Sequence, residues 1–432
     1  MNDEKKLLEK YCRPHNLAEF SFTDKITQKL VPKLPISISN VLRNNFEHIV
    51  DRMTKFLVSI MATSKPQLII RFLQLSRRIK TIILNKNDKN DNNNNNNNNN
   101  NKSTENENDE YLEIFDGPDK IGHVLLFVHG GAWGSGKPWM YRLVAEGIAN
   151  RMRPCSKIIL LGYPLFPKTF IDDQVLCCRK ALLYIHGHRN ELGIGINEKI
   201  VLCGHSSGAN VCALSVCSES DSNDNNHFSN HLCHSLLLMS GVFDIEKHYS
   251  WEASRGLHLI SPMGAAARSF SRFWESSPTI RFKNNSNNSN SNNSSNNSSN
   301  NNSNNNSNSN NNNVSIGEKK NTFVIALIHA VDDDTVPFSS SEELATVLKA
   351  RGHQVLTLYP KGSHMDPLMW MMEDNSITND EINNNNNNNN NYYNINYQLQ
   401  TFLSRFSLLL STPDNRDLKL VTTKPEFIHS KL

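Results

Sequence analysis

Five residues between two apolar segments constrain this chain more than any other feature. The run at 199–203 (KIVLC) predicts a buried strand, and the small residues at 209–214 predict a helix. The pentapeptide GHSSG at 204–208 stands between them, so the chain must turn sharply from strand into helix. A Cβ on either glycine of the pentapeptide is expected to collide with neighbouring backbone. Such a turn lifts the hydroxyl of Ser206 above the end of a sheet, where a base and a substrate can reach it.

Low-complexity tracts limit how much of the 432-residue chain can fold. Residues 92–101 and 383–391 are all asparagine, and 284–313 contain only asparagine and serine. These tracts bury almost no apolar surface to offset the entropy of ordering, so we expect disordered insertions at surface loops. Interaction segments of the prion-like kind are the alternative. The predicted organisation is a basic N-terminal helical region at 1–84, an Asn-rich linker at 85–110, a folded domain at 111–411 and a tail at 412–432.

Charge distribution and cysteine usage limit the cellular compartments and the partners that the sequence allows. Residues 1–84 carry 15 Lys and Arg against 7 Asp and Glu, a net charge of +8, whereas the whole chain carries +3 and the remainder therefore −5. The eight cysteines show no metal-ligand spacing, and several lie in apolar runs, which predicts reduced, buried thiols. The start of the chain lacks the apolar stretch of a signal peptide, and no apolar run has membrane-spanning length. We therefore expect a cytoplasmic protein without a nucleic-acid partner.

Two amphipathic helices are predicted in the N-terminal region. Apolar residues between 42 and 61 recur at three- and four-residue steps, with Asn40 as a plausible N-cap. The sequence SKP at 64–66 breaks this helix, and a second follows in which Ile79 and Ile83 continue the apolar face beside several arginines. This helical hairpin either packs on the main domain or forms a basic anchor on an anionic membrane surface, and the two roles are compatible.

Beyond residue 110 the pattern changes to apolar runs separated by amphipathic segments. Strands that lack hydrophobic alternation and are spaced by helices indicate an α/β domain, with a mostly parallel sheet covered by helices on both faces. A segment at about 245–282 contains no strand and predicts a small cap inserted over the sheet. The segments at 365–372 and 395–410 resemble a final helix split by the third asparagine tract. The predicted strands are 111–115, 123–128, 157–162, 199–203, 235–239, 323–329 and 354–359.

A serine nucleophile needs an adjacent base that a third group holds in orientation. The sequence HAVDDDTVP at 329–337 follows a predicted strand, and its three aspartates leave the acid open among Asp332, Asp333 and Asp334. The spacing to the Val-Pro pair favours Asp333. His364 lies in a Gly-x-His turn after the last predicted strand and is the candidate base, because the acid and then the histidine are expected to follow the serine along the chain.

The intermediate of acyl transfer also needs N–H donors for its oxyanion. The sequence HGGAW at 129–133 follows an early strand, and Gly130 and Gly131 allow close approach to a substrate. The predicted donors are the amides around Gly131 and Ala132, together with the amide of Ser207, which follows the nucleophile. The chemistry indicated is acyl transfer, which requires no metal and no organic cofactor.

Taken together, these motifs resemble the hormone-sensitive-lipase and carboxylesterase branch of the α/β-hydrolase superfamily, over about 111–411. Within that branch the chain most resembles the isoprenylcysteine α-carbonyl methylesterases. The resemblance implies an α/β-hydrolase fold and hydrolysis of the methyl ester on a C-terminal prenylcysteine, at the cytoplasmic face of endoplasmic reticulum or Golgi membranes. The segments that carry it are HGGAW at 129–133, GHSSGA at 204–209, and SRGL at 254–257 through SPM at 261–263.

The chain also departs from this family. Its members tend to carry membrane-spanning helices ahead of the hydrolase domain, and the Asp-Tyr pair usual after the fourth strand is Gly162-Tyr163 here. The apolar cap favours an apolar ester, with Trp133, Trp274 and Arg255 as candidate substrate contacts; Arg255 is alternatively a brace for the cap or an exposed residue. The competing functions are a kynurenine-formamidase-like amidase, a broad lipase or deacetylase, and a non-catalytic binding protein on a hydrolase fold.

Overall fold

The strands are apolar on both faces, so other parts of the chain must cover the sheet on each side. A computed structural model describes residues 33–48, 50, 65–84, 109–217, 232–284, 323–373 and 390–411, without the side chains of 390–394. Nearly all of the three low-complexity tracts and the whole 412–432 tail lie outside these residues, so the predictions made for them fall outside the described structure as well.

Eight strands form one sheet in the described chain, in the order β1-β2-β4-β3-β5-β6-β7-β8. β1 pairs antiparallel with β2, and β2 with β4, whereas every other pair is parallel. This is the predicted α/β-hydrolase fold with a mostly parallel sheet. The strands are β1 Lys80–Ile83, β2 Tyr111–Asp116, β3 His123–Val128, β4 Cys155–Gly162, β5 Ile200–His205, β6 Ser235–Met239, β7 Val324–Ile328 and β8 Gln354–Leu358.

Helices cover both faces of the sheet, as the sequence predicts. Successive residues of β3 show why this is necessary: Leu126 belongs to the core on one face and Phe127 to the core on the other, and neither is exposed. One core includes side chains of α4, α5, α9 and the cap, and the other those of α2, α3, α10 and α11. The helices are α1 Ile36–Asn44, α2 Pro66–Ser76, α3 Arg142–Arg151, α4 Ile171–Gly187, α5 Ser207–Val216, α6 Ile245–Ser254, α7 Met263–Ala266, α8 Pro278–Asn284, α9 Ser339–Ala350, α10 Asp366–Met372 and α11 Asn390–Ser411.

The N-terminal region differs from its prediction in two respects. Asn40 lies inside α1, which runs from Ile36 to Asn44, so it is not an N-cap, and residues 51–61 of the helix predicted at 42–61 fall outside the described residues. The second helix ends at Ser76, and the residues expected to continue it form β1, in which Ile83 pairs with Tyr111 of β2. The β-branched sequence TII at 81–83 suits a strand. Residues 1–84 are therefore not a purely helical region, because they supply the edge strand of the sheet.

Polar contacts join both N-terminal helices to the rest of the protein. Arg43, on α1, donates from Nη2 to the carbonyl oxygen of Leu259 in the cap, at 2.6 Å. Arg71, on α2, donates to Oε2 of Glu146 on α3 at 3.1 Å and to the carbonyl oxygen of Met372 at 3.0 Å. These contacts are those expected of helices that pack on the domain. Of the helices described, none has the length and the apolar character needed to cross a bilayer.

Candidate active site

The turn after β5 has the strained geometry that the sequence predicts. Ser206 has φ 54° and ψ −123°, a conformation that costs a non-glycine residue about 1–3 kcal/mol. A Cβ on Gly204 would lie 2.6 Å from the carbonyl carbon of Gly208, and a Cβ on Gly208 would lie 2.3 Å from the carbonyl oxygen of His129. Both distances are far inside van der Waals contact, so the predicted need for glycine at these positions is confirmed.

A buried hydrogen bond joins the loop after β7 to the loop after β8. Nδ1 of His364 lies 2.7 Å from Oδ2 of Asp333, whose side chain is fully buried, whereas Asp332 and Asp334 are exposed. Burial by itself raises the pKa of Asp333, but hydrogen bonds from His329 and His364 outweigh this effect, and the pKa lies well below its ordinary value. Asp333 is therefore an ionised acceptor, so Nδ1 of His364 carries the hydrogen and Nε2 is free to accept one.

The residue before Ser206 connects the elbow to His364. The rings of His205 and His364 have centroids 4.8 Å apart, and Nε2 of His205 lies 3.2 Å from the carbonyl oxygen of His364. Burial lowers the pKa of His205 to about 3, so this ring is neutral at physiological pH. Its single N–H must be on Nε2, because the atom it faces is an acceptor. His205 thus fixes the main chain of His364 beside the elbow.

The loop after β3 lies against the same elbow. A Cβ on Gly130 would lie 3.1 Å from Cβ of Ser206, which shows how closely the loop approaches the nucleophile candidate. Gly131, Ala132 and Trp133 have φ values of 132°, 52° and 59°, three successive residues in a region that L side chains rarely adopt. The loop thus lies at the carboxyl end of the sheet, beside Ser206.

Buried polar side chains hold this loop. Tyr163 donates from Oη to the carbonyl oxygen of His129 at 2.6 Å, and the two rings stack with centroids 4.3 Å apart. Gln174, on α4, donates from Nε2 to the carbonyl oxygen of Trp133 at 2.9 Å. Neither Tyr163 nor Gln174 was predicted to support the site. The signal for Gln174 is a polar residue within the apolar face of a predicted helix, and Tyr163 was recognised only as part of a departure from the family pattern.

The remaining predicted donor is the amide of Ser207. Ser207 is the first residue of α5, so its N–H has no acceptor within the helix. The helix also presents the positive end of its dipole at this point. This helix start and the loop after β3 both lie next to Ser206.

The three tentative substrate contacts occupy different environments. Trp133 is 1% exposed and packs in the core, so we assign it to support of the loop and not to substrate contact. Arg255 donates from Nη1 to the carbonyl oxygen of Asp334, which also accepts from Nε1 of Trp251 at 3.1 Å. This contact makes Arg255 a brace between the cap and the loop of the acid. Trp274 is 41% exposed on the cap, with the guanidinium of Arg281 above its ring.

A separate cavity of about 350 Å³ lies between α4, the end of α5 and the cap. Its lining contains none of the site residues named above. Two of the four arginines in its lining are paired with carboxylates of the same lining: Arg268 contacts Asp172 at 3.0 Å and Arg272 contacts Glu275 at 2.5 Å. We therefore do not count this cavity as part of the candidate site.

Solved structures with a similar chain path include several esterases. Thermogutta terrifontis esterase 2 phosphoramylated by tabun is 16% identical, with a TM-score of 0.46 over 78% of this chain and 97% of that one. Esterase B from Lactobacillus rhamnosis is 11% identical, with a TM-score of 0.48 over 82% of this chain and 96% of that one. An arylesterase is 14% identical, with a TM-score of 0.45 over 70% of this chain and 79% of that one.

A family model described as "alpha/beta hydrolase fold" matches residues 125–364. This range is more than half of the chain. It begins in β3, just before the loop at 129–133, and ends at His364, so it contains every candidate site residue. The chain therefore belongs to this family of α/β hydrolases.

Proposed function

We propose that the chain hydrolyses carboxylic esters with Ser206 as nucleophile, His364 as general base and Asp333 as the acid that orients the base. The observation that carries this proposal is the buried hydrogen bond of 2.7 Å between His364 and Asp333, formed beside the strained turn at Ser206. In the proposed first step, Oγ of Ser206 attacks the ester carbonyl carbon and its proton passes to Nε2 of His364. Asp333 keeps Nδ1–H in place and stabilises the imidazolium.

The amide of Ser207 and the amides of the 129–133 loop would then stabilise the negative oxygen of the tetrahedral intermediate. The intermediate collapses to an acyl-enzyme on Ser206, and the leaving alcohol takes its proton from His364. A water molecule, deprotonated by the same histidine, releases the acid in a second cycle. Every step uses groups of the protein, the substrate and water alone.

For the substrate we propose an apolar ester, specifically the methyl ester of a prenylcysteine. Support comes from the resemblance of the 129–133, 204–209 and 254–263 segments to the isoprenylcysteine methylesterases. The exposed ring of Trp274 on the cap is compatible with an apolar group. Because Arg255 is committed to Asp334, we do not assign it to recognition of the substrate.

The nucleophile is tested with p-nitrophenyl acetate. Ser206→Ala should lower kcat by at least about a thousandfold, as expected when the nucleophile of such a triad is removed. Ser207→Ala is the matched control, since the amide of Ser207 remains and only a buried hydroxyl is lost. Equal rates for wild type and Ser206→Ala would contradict the proposal and favour a binding protein on a hydrolase fold.

The substrate is tested by measuring methanol release from farnesylcysteine methyl ester beside hydrolysis of N-formylkynurenine and of a medium-chain triglyceride. We expect the highest kcat/KM with the prenylcysteine ester. A preference for N-formylkynurenine would identify an amidase, and a preference for the triglyceride would identify a lipase. Each of these results would replace the proposed substrate while leaving Ser206 as nucleophile.

We further propose that the N-terminal region contacts an anionic membrane surface, such as the cytoplasmic face of the endoplasmic reticulum or Golgi, where prenylated proteins are found. On α1, Ile36 is 80% exposed and Val41 60%, and on α2 Ile70 is 55% exposed. Arg77 and Arg78 are exposed just after α2. An apolar surface beside basic residues is the composition of an interfacial helix.

Deletion of 1–84 would also remove β1, so point substitutions provide the better test of this contact. We expect the protein to sediment with vesicles of phosphatidylcholine and phosphatidylserine, and Ile36→Asp with Val41→Asp to reduce that fraction. Ile196→Asp, at a position 85% exposed outside the N-terminal region, is the control. If the wild-type protein stays in the supernatant, the helices serve only to pack on the domain.

A further inference from the structure

Asp333 is bonded to a second histidine besides His364. The ring of His329 is fully buried, and its Nε2 lies 3.1 Å from Oδ2 of Asp333. That oxygen is the one that accepts from His364. The other oxygen, Oδ1, accepts from the backbone N–H of Thr335 at 2.9 Å and of Val336 at 2.8 Å. The carboxylate thus has four donors, and two of them are imidazole rings that share one oxygen.

The surroundings of His329 determine which of its nitrogens carries a hydrogen. Nε2 also lies 2.8 Å from the carbonyl oxygen of Val336, so both of its neighbours are acceptors and Nε2 must be a donor. Nδ1 lies 2.7 Å from Oγ of Ser341, a buried hydroxyl on α9. The ring is therefore held from both sides, by α9 and by the loop that carries Asp333, and its N–H is shared between the carbonyl oxygen of Val336 at 2.8 Å and the carboxylate at 3.1 Å.

A histidine in this position needs an explanation, because polar groups in a fully buried site are costly unless their hydrogen bonds are used. His329 follows β7 directly, and its ring is fully buried. The titratable groups around it are Asp333 on its own loop, His364 after β8 and His205 at the end of β5. All three belong to the candidate site, and Asp333 is the group that His329 touches.

We propose that His329 is a positioning residue: it holds the Asp333 carboxylate with Oδ2 directed at His364 and takes up part of the negative charge on that oxygen. The inference rests on the proposed roles of Ser206, Asp333 and His364. Without the N–H of His329, the carboxylate is held by fewer donors and His364 loses part of its fixed orientation. More of the negative charge then acts on His364 alone, which favours the protonated form of this ring.

The test compares His329→Leu, which removes the donor, with His329→Gln, whose side-chain amide can place an N–H near the position of Nε2. For His329→Leu we expect kcat on p-nitrophenyl acetate to fall about ten- to a hundredfold, the size expected when a reacting group is misplaced by a fraction of an ångström to an ångström. KM should stay within about threefold, because no substrate contact is lost. His329→Gln should recover most of the rate.

The pH profile separates positioning from a loss of stability. The acidic limb of kcat/KM reports the fraction of free enzyme with a neutral base. In His329→Leu its midpoint should move to higher pH by about half a unit, since the uncompensated carboxylate favours the protonated His364. His353→Leu is the control: Nδ1 of His353 accepts from the amide of Phe323 at 3.2 Å, at the opposite end of the sheet. That variant should be less stable but keep the midpoint.

Wild-type kcat per folded molecule in His329→Leu, or a reduced kcat with an unmoved midpoint, would overturn the inference. Should His329→Leu fail to fold, Ser341→Ala decides, since it frees the ring on its Nδ1 side: a smaller fall in kcat with a midpoint moved upward supports positioning, and a wild-type profile rejects it. Ser206→Ala keeps the two proposals apart. If that variant is inactive while His329→Leu behaves as wild type, only the role of His329 fails.

Discussion

Two histidines at the amino end of the sheet and three at its carboxyl end make different bonds. At the amino end, Nδ1 of His234 accepts from the amide of Ile200 at 3.1 Å, and Nδ1 of His353 accepts from the amide of Phe323 at 3.2 Å. Each ring thereby satisfies a backbone N–H where a parallel strand pair begins. At the carboxyl end, His205, His364 and His329 are joined to one another or to Asp333.

This difference shows how one side chain serves two purposes on a single sheet. A ring that accepts from a backbone amide contributes only when it is neutral, and it needs no mobile proton. Rings bonded to a carboxylate can exchange a proton with a third group, as the proposed mechanism requires. Backbone strain follows the same division: of the five non-glycine residues with positive φ in the described chain, four follow the carboxyl ends of strands, namely Ala132, Trp133, Ser206 and Ser240.

The largest expected effect concerns the acid at the carboxyl end. Asp333→Asn should lower kcat about a thousand- to ten-thousandfold, because an amide can donate to His364 and stabilise the wrong tautomer. Steady-state kinetics on p-nitrophenyl acetate measure this. Asp332→Asn is the matched control, since that side chain is exposed whereas that of Asp333 is buried. A similar loss in both variants would show that the loop as a whole, and not Asp333, is required.

The next effect concerns the tight contact between the elbow and the loop after β3. Gly208→Ala would place a Cβ 2.3 Å from the carbonyl oxygens of His129 and Val128, so the free energy of unfolding should fall by about 3 kcal/mol. Gly187→Ala, at the end of α4, meets nothing within 4 Å and should raise it by about 0.5–1 kcal/mol. Urea unfolding measures both. Equal stability of the two variants would mean that the elbow is looser than its contacts indicate.

A third effect should appear at the amino end alone. His234→Leu leaves the amide of Ile200 without its acceptor, so the free energy of unfolding should fall by about 1–3 kcal/mol. The value of kcat per folded molecule should not change, because this end of the sheet holds no group of the proposed mechanism. A change in kcat, or in the midpoint of the acidic limb of kcat/KM, would show that the histidines at the amino end also affect the candidate site.

The last effect is a change in the pH dependence of stability. Burial lowers the pKa of His234 to about 4, so below about pH 6.5 the unfolded chain binds a proton that the folded chain does not. The stabilisation is complete above the unfolded pKa and is lost as the pH falls toward 4. His234→Leu should therefore reduce the slope of unfolding free energy against pH between 6.5 and 4, by at most about 1.4 kcal/mol per pH unit. Urea unfolding at several pH values measures this slope. An unaltered slope would mean that a group other than His234 causes the pH dependence.

The positions of most strands along the chain and the shape of the elbow could be predicted because both depend on local sequence. Apolar runs mark buried parallel strands, and the steric need for Gly204 and Gly208 follows from a turn between strand and helix. The strand ends from which Asp333 and His364 project could be located in the same way, whereas their roles rest on the proposed function. β1 could not be located, because Ile79 and Ile83 also fit a helical face and the partner strand lies beyond an asparagine tract.

Contacts between distant side chains and backbone carbonyls could not be predicted either. Tyr163 reaches His129 across 34 positions, and Arg255 reaches Asp334 across 79. Neither contact has a periodic or spacing signal, because a carbonyl oxygen accepts from any donor that the fold brings near it. His329 was visible in the sequence as the residue ahead of the aspartates, yet its bond to Asp333 depends on the path of the loop between them.

The positive φ of Ser206 also limits how this protein could evolve. Cysteine has a single heavy atom on its Cβ, as serine does, so it could take the same backbone conformation and supply a thiolate. Threonine carries a second heavy atom there, and a β-branched residue at φ 54° is a steric outlier. A lineage that exchanged its nucleophile could therefore pass through cysteine with the elbow intact, whereas a change to threonine would first require a new path for the main chain.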